Sequence, residues 1–110
     1  GPRGPEGDGA MRMLLKVSVP VTKGNEAYQS GALTGTVQAT MEALKPEAAY
    51  FGPDPETGRR TAMFVFDMEA SWQLPVILEP LFENLDAAIH MAPVMNAEDL
   101  QRGFKAQAEA

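Results

Sequence analysis

Residues 13–19 read Met-Leu-Leu-Lys-Val-Ser-Val and end against Pro20, and this short run narrows the possible folds more than any other part of the chain. Its odd positions, Met13, Leu15, Val17 and Val19, are all apolar, whereas Leu14, Lys16 and Ser18 fall between them. A period of two sends successive side chains to opposite faces of a pleated strand. The first strand thus has one dry face and one mixed face. The dry face needs a covering layer, and helical periodicity elsewhere in the chain supplies one.

Thr22 to Asn25 are cap-type residues, and beyond them Leu33, Val37, Met41 and Leu44 recur at helical spacing. Gly31 and Gly35 weaken the first half of this helix by up to about 1 kcal/mol each relative to Ala, so an irregular turn is expected before Ala32. Pro46 ends it. Residues 47–51 then form a short strand, residues 52–58 (Gly-Pro-Asp-Pro-Glu-Thr-Gly) a dense turn, and residues 61–68 a second alternating strand. That strand places Thr61, Met63, Val65 and Asp67 on one face, with Ala62, Phe64, Phe66 and Met68 on the other. Ser71 is a good N-cap for a second helix carrying Leu74, Ile77, Leu78, Leu81, Phe82 and Leu85. Pro80 should kink or restart it, because an interior Pro lacks the amide proton that the helix needs. Residues 87–94 return to extended character. Asn96 with Glu98 and Asp99 then opens a short terminal helix bearing Leu100 and Phe104.

The order is βαββαβ followed by a helix, which specifies an α+β chain. The expected architecture is a ferredoxin-like sandwich, with a four-stranded antiparallel sheet in the order 4-1-3-2 and both helices on one face. The other face carries Leu14, Met63, Val65 and Val94, too apolar to meet water alone. A second copy of the chain is the simplest cover, so a homodimer is expected. Residues 1–10, rich in Gly and Pro and without a large apolar side chain, read as a disordered tail or a cloning remnant, and residues 11–110 as a single domain.

Composition excludes several functions. A net charge of -6 and a pI near 4.6 disfavour a nucleic-acid partner, which needs clustered Lys and Arg. Only Arg59 and Arg60 are adjacent basic residues, and beside the Gly-rich turn they read as a solvated loop. With no Cys there is neither a disulfide framework nor a thiolate metal site, and the cytosol is the default expectation. No apolar run approaches the roughly 18 to 20 residues of a membrane span, so no membrane partner is expected. A single His leaves no dedicated zinc or iron set, and no Gly-rich phosphate loop joins a strand to a helix. No cofactor is expected, though haem stays open, because one His90 suffices as a proximal ligand.

Four stretches carry a more specific resemblance: Met-Arg-Met-Leu-Leu-Lys-Val at residues 11–17, Leu-Lys-Pro-Glu-Ala-Ala-Tyr-Phe at 44–51, Phe-Val-Phe-Asp-Met at 64–68 and Pro-Val-Met-Asn-Ala-Glu-Asp-Leu at 93–100. Together they resemble a small bacterial family of uncharacterised proteins, similar to the dimeric α+β barrel superfamily, from Met11 to Gln107. The resemblance implies a dimer whose two sheets close around a shared interior. The superfamily includes cofactor-independent monooxygenases of aromatic polyketides, lactone isomerases, polyketide cyclases and haem-degrading enzymes, so the fold does not fix the activity. None of their catalytic motifs matches here residue by residue, and no role is carried over. Trp72, His90 and Met91 depart from the family pattern.

If the all-apolar strand faces point to the helices, the barrel interior receives Lys16, Ser18, Met63, Val65, Asp67 and His90, with Tyr50 from the second strand. Enclosed Lys16, His90 and Tyr50 are the candidates for proton transfer near neutral pH. Ser18, Met63, Val65 and Asp67 are the candidate ligand contacts, joined by Trp72 at the mouth. Several have a plainer explanation: His90 as a solvated edge residue or a structural hydrogen bond, Lys16 as the partner of an acid, Asp67 as a turn or capping group, and the Met and Phe side chains as core, with Trp72 the exception. The functional expectation is a homodimeric barrel binding an apolar or aromatic small molecule, with cyclisation or isomerisation as its chemistry if it is an enzyme. The alternatives are a cofactor-independent or haem-dependent monooxygenase, and a non-catalytic assembly module.

Overall fold

The computed structural model describes residues 9–110, so the expected tail lies, apart from Gly9 and Ala10, outside the described residues. The elements are β1 (Met11–Val19), α1 (Val21–Ser30), α2 (Ala32–Leu44), β2 (Ala48–Pro53), β3 (Arg60–Met68), α3 (Gln73–Leu85), β4 (Ala88–Pro93) and α4 (Ala97–Glu109). The four strands form one antiparallel sheet in the order β2-β3-β1-β4, which is the expected order viewed from its other edge. The chain is α+β with an open sheet, an arrangement consistent with the ferredoxin-like reading.

The dry face of β1 is the core. Met13, Leu15, Val17 and Val19 are buried together with Phe64 and Phe66 of β3, Ala27 of α1, Leu44 of α2 and Leu81 and Leu85 of α3. Removing each large side chain of this set from water contributes about 1.5–3 kcal/mol. Strand alternation identifies the inward set correctly, because a slip of one residue would have turned Lys16 and Ser18 into the core. A polar seam lies between α2 and α3: within α2, Thr40 Oγ1 donates to the Thr36 carbonyl at 2.8 Å, and from α3 Asn84 Nδ2 donates to Thr36 Oγ1 at 3.3 Å.

The helices differ from expectation in three places. The stretch before Ala32 is a full ten-residue helix, capped by Pro20 without a side-chain bond, rather than an irregular turn. Gly31 separates it from α2 with φ +88, a left-handed conformation that Gly adopts without steric cost. The second difference concerns α3, whose cap position is Trp72 and not Ser71; Gln73 Oε1 instead accepts from the Glu69 and Ala70 amides at 2.7 and 3.1 Å. Finally, α3 runs unbroken through Pro80 with no restart. Val76 and Pro80 are both exposed, so water can reach the helix where the proline removes an amide donor.

Helix α4 has thirteen residues, longer than expected, and none is buried. Its start follows the sequence signal: Asn96 Oδ1 accepts from the Asp99 amide at 2.8 Å and Asp99 Oδ2 accepts from the Asn96 amide at 3.2 Å, a complete capping box. The radius of gyration is 16.2 Å, against about 13 Å for a compact chain of this size. The excess reflects a helix that leaves the body of the molecule.

Candidate functional site

The register of the sheet determines which candidate residues meet. On the open face, Lys16 lies opposite His90 on one side and Met63 on the other, and Met63 lies opposite Tyr50. One row therefore crosses the sheet as His90, Lys16, Met63 and Tyr50. Strands lie about 4.8 Å apart, so Tyr50 and His90 are separated by roughly 14 Å and only Lys16 stands next to His90. Val65 and Leu14 occupy the next row on one side, and Ser18 the next on the other, opposite Thr61 and Ala88. Asp67 pairs in register with Arg12, farther along the same face. Trp72 is not on the sheet; it stands exposed in the turn between β3 and α3.

Lys16 is already engaged. Its Nζ donates to Asp54 Oδ2 at 3.0 Å, and Asp54 Oδ1 accepts from the amides of Glu56 and Thr57 at 2.8 and 3.1 Å. The Lys16 hydrogen bond, with help from the two amides, holds the Asp54 carboxyl down at about 2. The plainer explanation of Lys16, an ion pair, is thus part of the structure, and Asp54 is a residue that the sequence did not single out. Nearer the other end of the face, Arg12 bridges Glu47, just before β2, and Asp99 in the first turn of α4, the latter at 2.7 Å. That bridge ties the root of α4 to the open side of the sheet.

The concave site lies on the other face. Between α2 and the β2–β3 side of the sheet is a cleft of about 400 Å³, lined by Val17 and Val19 of β1, Leu33 and Val37 of α2, and Phe51, Ala62 and Phe64 of the hairpin. Phe51 stands edge-on to Phe64, with ring centroids 5.8 Å apart. This is a wall of apolar surface left partly open, since Phe51 is 56% exposed. Of the described residues that line it, Arg60 alone is charged. It is not loop, as the sequence suggested, but the first residue of β3, and in register with Val19 it shares the helix-facing side of the sheet.

The hydrophobic pattern pointed to every large residue of this wall as core and could not show that the wall is incomplete. Periodicity reports which side faces inward, whereas a cleft depends on how far a helix stands from the sheet. A second, smaller groove of about 300 Å³ runs between α2 and α3 along Gly35, Ala39, Val76 and Pro80.

Among the described residues, no group of three or more His, Cys, Asp or Glu side chains is arranged to hold a metal ion, and no helix is long and apolar enough to cross a membrane. No protein-family model, curated protein or solved structure matches the chain.

Proposed function

We propose that the protein binds a small, mostly apolar molecule in the cleft between α2 and the β2–β3 side of the sheet. The observation that carries this reading is the cleft itself: about 400 Å³, open to solvent and walled by aliphatic and aromatic side chains. Ligand sites are commonly concave, mainly apolar and about 300–1,000 Å³ in volume. A homodimer of the dimeric α+β barrel type accompanies the reading. It is supported by the open face, where Leu14, Met63 and Val65 stand between the polar groups.

The row of His90, Lys16 and Met63 favours a second reading, proton transfer in an interior enclosed by two such faces, with Lys16 and His90 as the working pair and Tyr50 at the far edge. The Asp54 ion pair limits it, because the Lys16 ammonium is already engaged by a carboxylate. A haem bound through His90 would not enter the cleft, since His90 is exposed on edge strand β4 and lies on the opposite face. The third reading, an assembly module, needs only the open face.

Filling the cleft tests the leading reading. Val37→Phe adds a ring to the wall from the cleft side of α2 and should reduce the affinity for apolar probes such as 2-naphthol at least tenfold, measured by calorimetric titration, with the circular dichroism spectrum unchanged. Full binding by a folded Val37→Phe protein would place the ligand elsewhere.

A further inference from the structure

We propose that the molecule taken by the cleft is a carboxylic acid with an apolar body, whose carboxylate is held by Arg60; this rests on the cleft reading above and specifies its ligand class. Arg60 is held in place from three sides of α1. Its Nη1 donates to Asn25 Oδ1 at 3.0 Å, and its guanidinium carbon lies 5.8 Å from the centre of the Tyr28 ring. The third side is Gly24, which is buried within the helix, where a Cβ would come within 2.8 Å of Nη1. Gly is among the poorest residues for a helix interior. At this position it leaves the room through which the arginine lies across the helix.

The guanidinium is thus positioned but not neutralised. None of its three neighbours is a carboxylate, and a guanidinium has five N–H donors, most of which remain for another acceptor. The contrast with the other cations that cross the sheet is direct: Arg12 bridges Glu47 and Asp99, and Lys16 bonds Asp54. In a chain with fifteen acidic residues against nine basic ones, an arginine without a carboxylate among the described residues, at the rim of an apolar cleft, is a local site for an anion. Arg presents a planar fork that matches a carboxylate with two parallel hydrogen bonds. One such fork, in a protein of net charge -6, suits a monoanion better than a phosphate dianion. The rest of the wall, from Val19 to Phe64, asks only for hydrocarbon.

The experiment pairs acids with neutral analogues of the same body. Calorimetric titrations at pH 7 and low salt compare 2-naphthoate with 2-naphthol, and decanoate with 1-decanol. The acids are expected to bind about tenfold more tightly than the alcohols, the order of effect of one charge-assisted hydrogen-bond pair. Arg60→Gln should bring the affinity of each acid down to that of its alcohol. Gly24→Ala, which pushes the guanidinium off α1 without altering its charge, should shrink the preference with the helical signal retained. Equal affinities in the unaltered protein, or an acid preference that survives Arg60→Gln, overturn the carboxylate assignment while the cleft reading stands. If the folded protein binds none of the four probes, the cleft reading itself fails and takes this inference with it.

Discussion

The carboxylate of Asp54 receives a hydrogen bond from Lys16 Nζ and two from backbone amides of its own loop. All three favour the ionised form, which is why the group is held near 2 in the folded protein rather than at 3.8. A carboxyl whose folded value is depressed stabilises the fold above its unfolded value and loses that contribution as pH falls through the folded one. Asp54→Asn should therefore lower the melting temperature at pH 7, and by the same amount at pH 5. The gap between the two proteins should narrow below pH 4 and close near pH 2, read from thermal unfolding monitored by circular dichroism. A gap that persisted unchanged at pH 2 would show that the side chain acts through shape and not through its charge. Lys16 is visible in the sequence as a polar residue on an alternating strand, and its face follows from that alternation. Its partner is not visible, since Asp54 is 38 positions away in a turn whose path depends on Gly58 at φ +72. Arg60 escapes for a related reason: beside a glycine-rich turn it has the composition of loop, and only the register with Val19 assigns it to a strand and a face.

Elements are legible to the extent that large apolar side chains mark their inner faces. Both long strands, α2 and α3 carry such stripes; on the strands the stripe is the buried side, whereas α2 buries Thr36, Thr40 and Leu44 and leaves Leu33, Val37 and Met41 half-buried, and α3 buries Leu81 and Leu85 but exposes Phe82. Helix α1 carries none, because the residues it buries are Gly24 and Ala27, too small to register as hydrophobic periodicity. What places α1 is the close approach those small residues allow, together with Arg60 lying across Gly24. Helix α4 is the reverse case. Its capping box is legible from Asn96 and Asp99, yet no packing holds the rest of the helix. Asn96→Ala should cost about 1 kcal/mol of helix stability. Because α4 buries nothing against the body, that loss should appear locally. Amide exchange in the first two turns of α4 should quicken about fivefold in the variant, while the melting temperature of the sheet and core stays within a degree. A full-size drop in the global transition would mean that α4 is packed against something the isolated chain lacks, such as a second copy.

At the scale of the whole molecule, two apolar surfaces stay wholly or partly exposed among the described residues: the open sheet face, with Leu14, Met63 and Val65, and Leu100 with Phe104 of α4. The Arg12 bridge to Glu47 and Asp99 fixes the root of that helix to the face. The strand pattern alone exposes this problem, since Leu14, Met63 and Val65 alternate out of the core and a lone sheet face of that character is uncommon in a stable monomer. The pattern does not say how the face is covered, because complementarity between two surfaces is a property of shape and not of period. Val65 stands near the centre of the open face, on an interior strand beside Leu14. If two copies meet there, Val65→Glu puts a carboxylate from each into a shared apolar layer, where burying an unpaired charge is prohibitive. If no copies meet there, the same carboxylate simply enters water. Sedimentation velocity separates the two cases: the unaltered protein should run at twice the chain mass of 11.9 kDa at micromolar concentration, and a folded Val65→Glu protein at the mass of one chain. An unaltered protein that stays at the single-chain mass as its concentration is raised would remove the dimer, and the enclosed row of Lys16 and His90 with it, while leaving the cleft on the opposite face untouched.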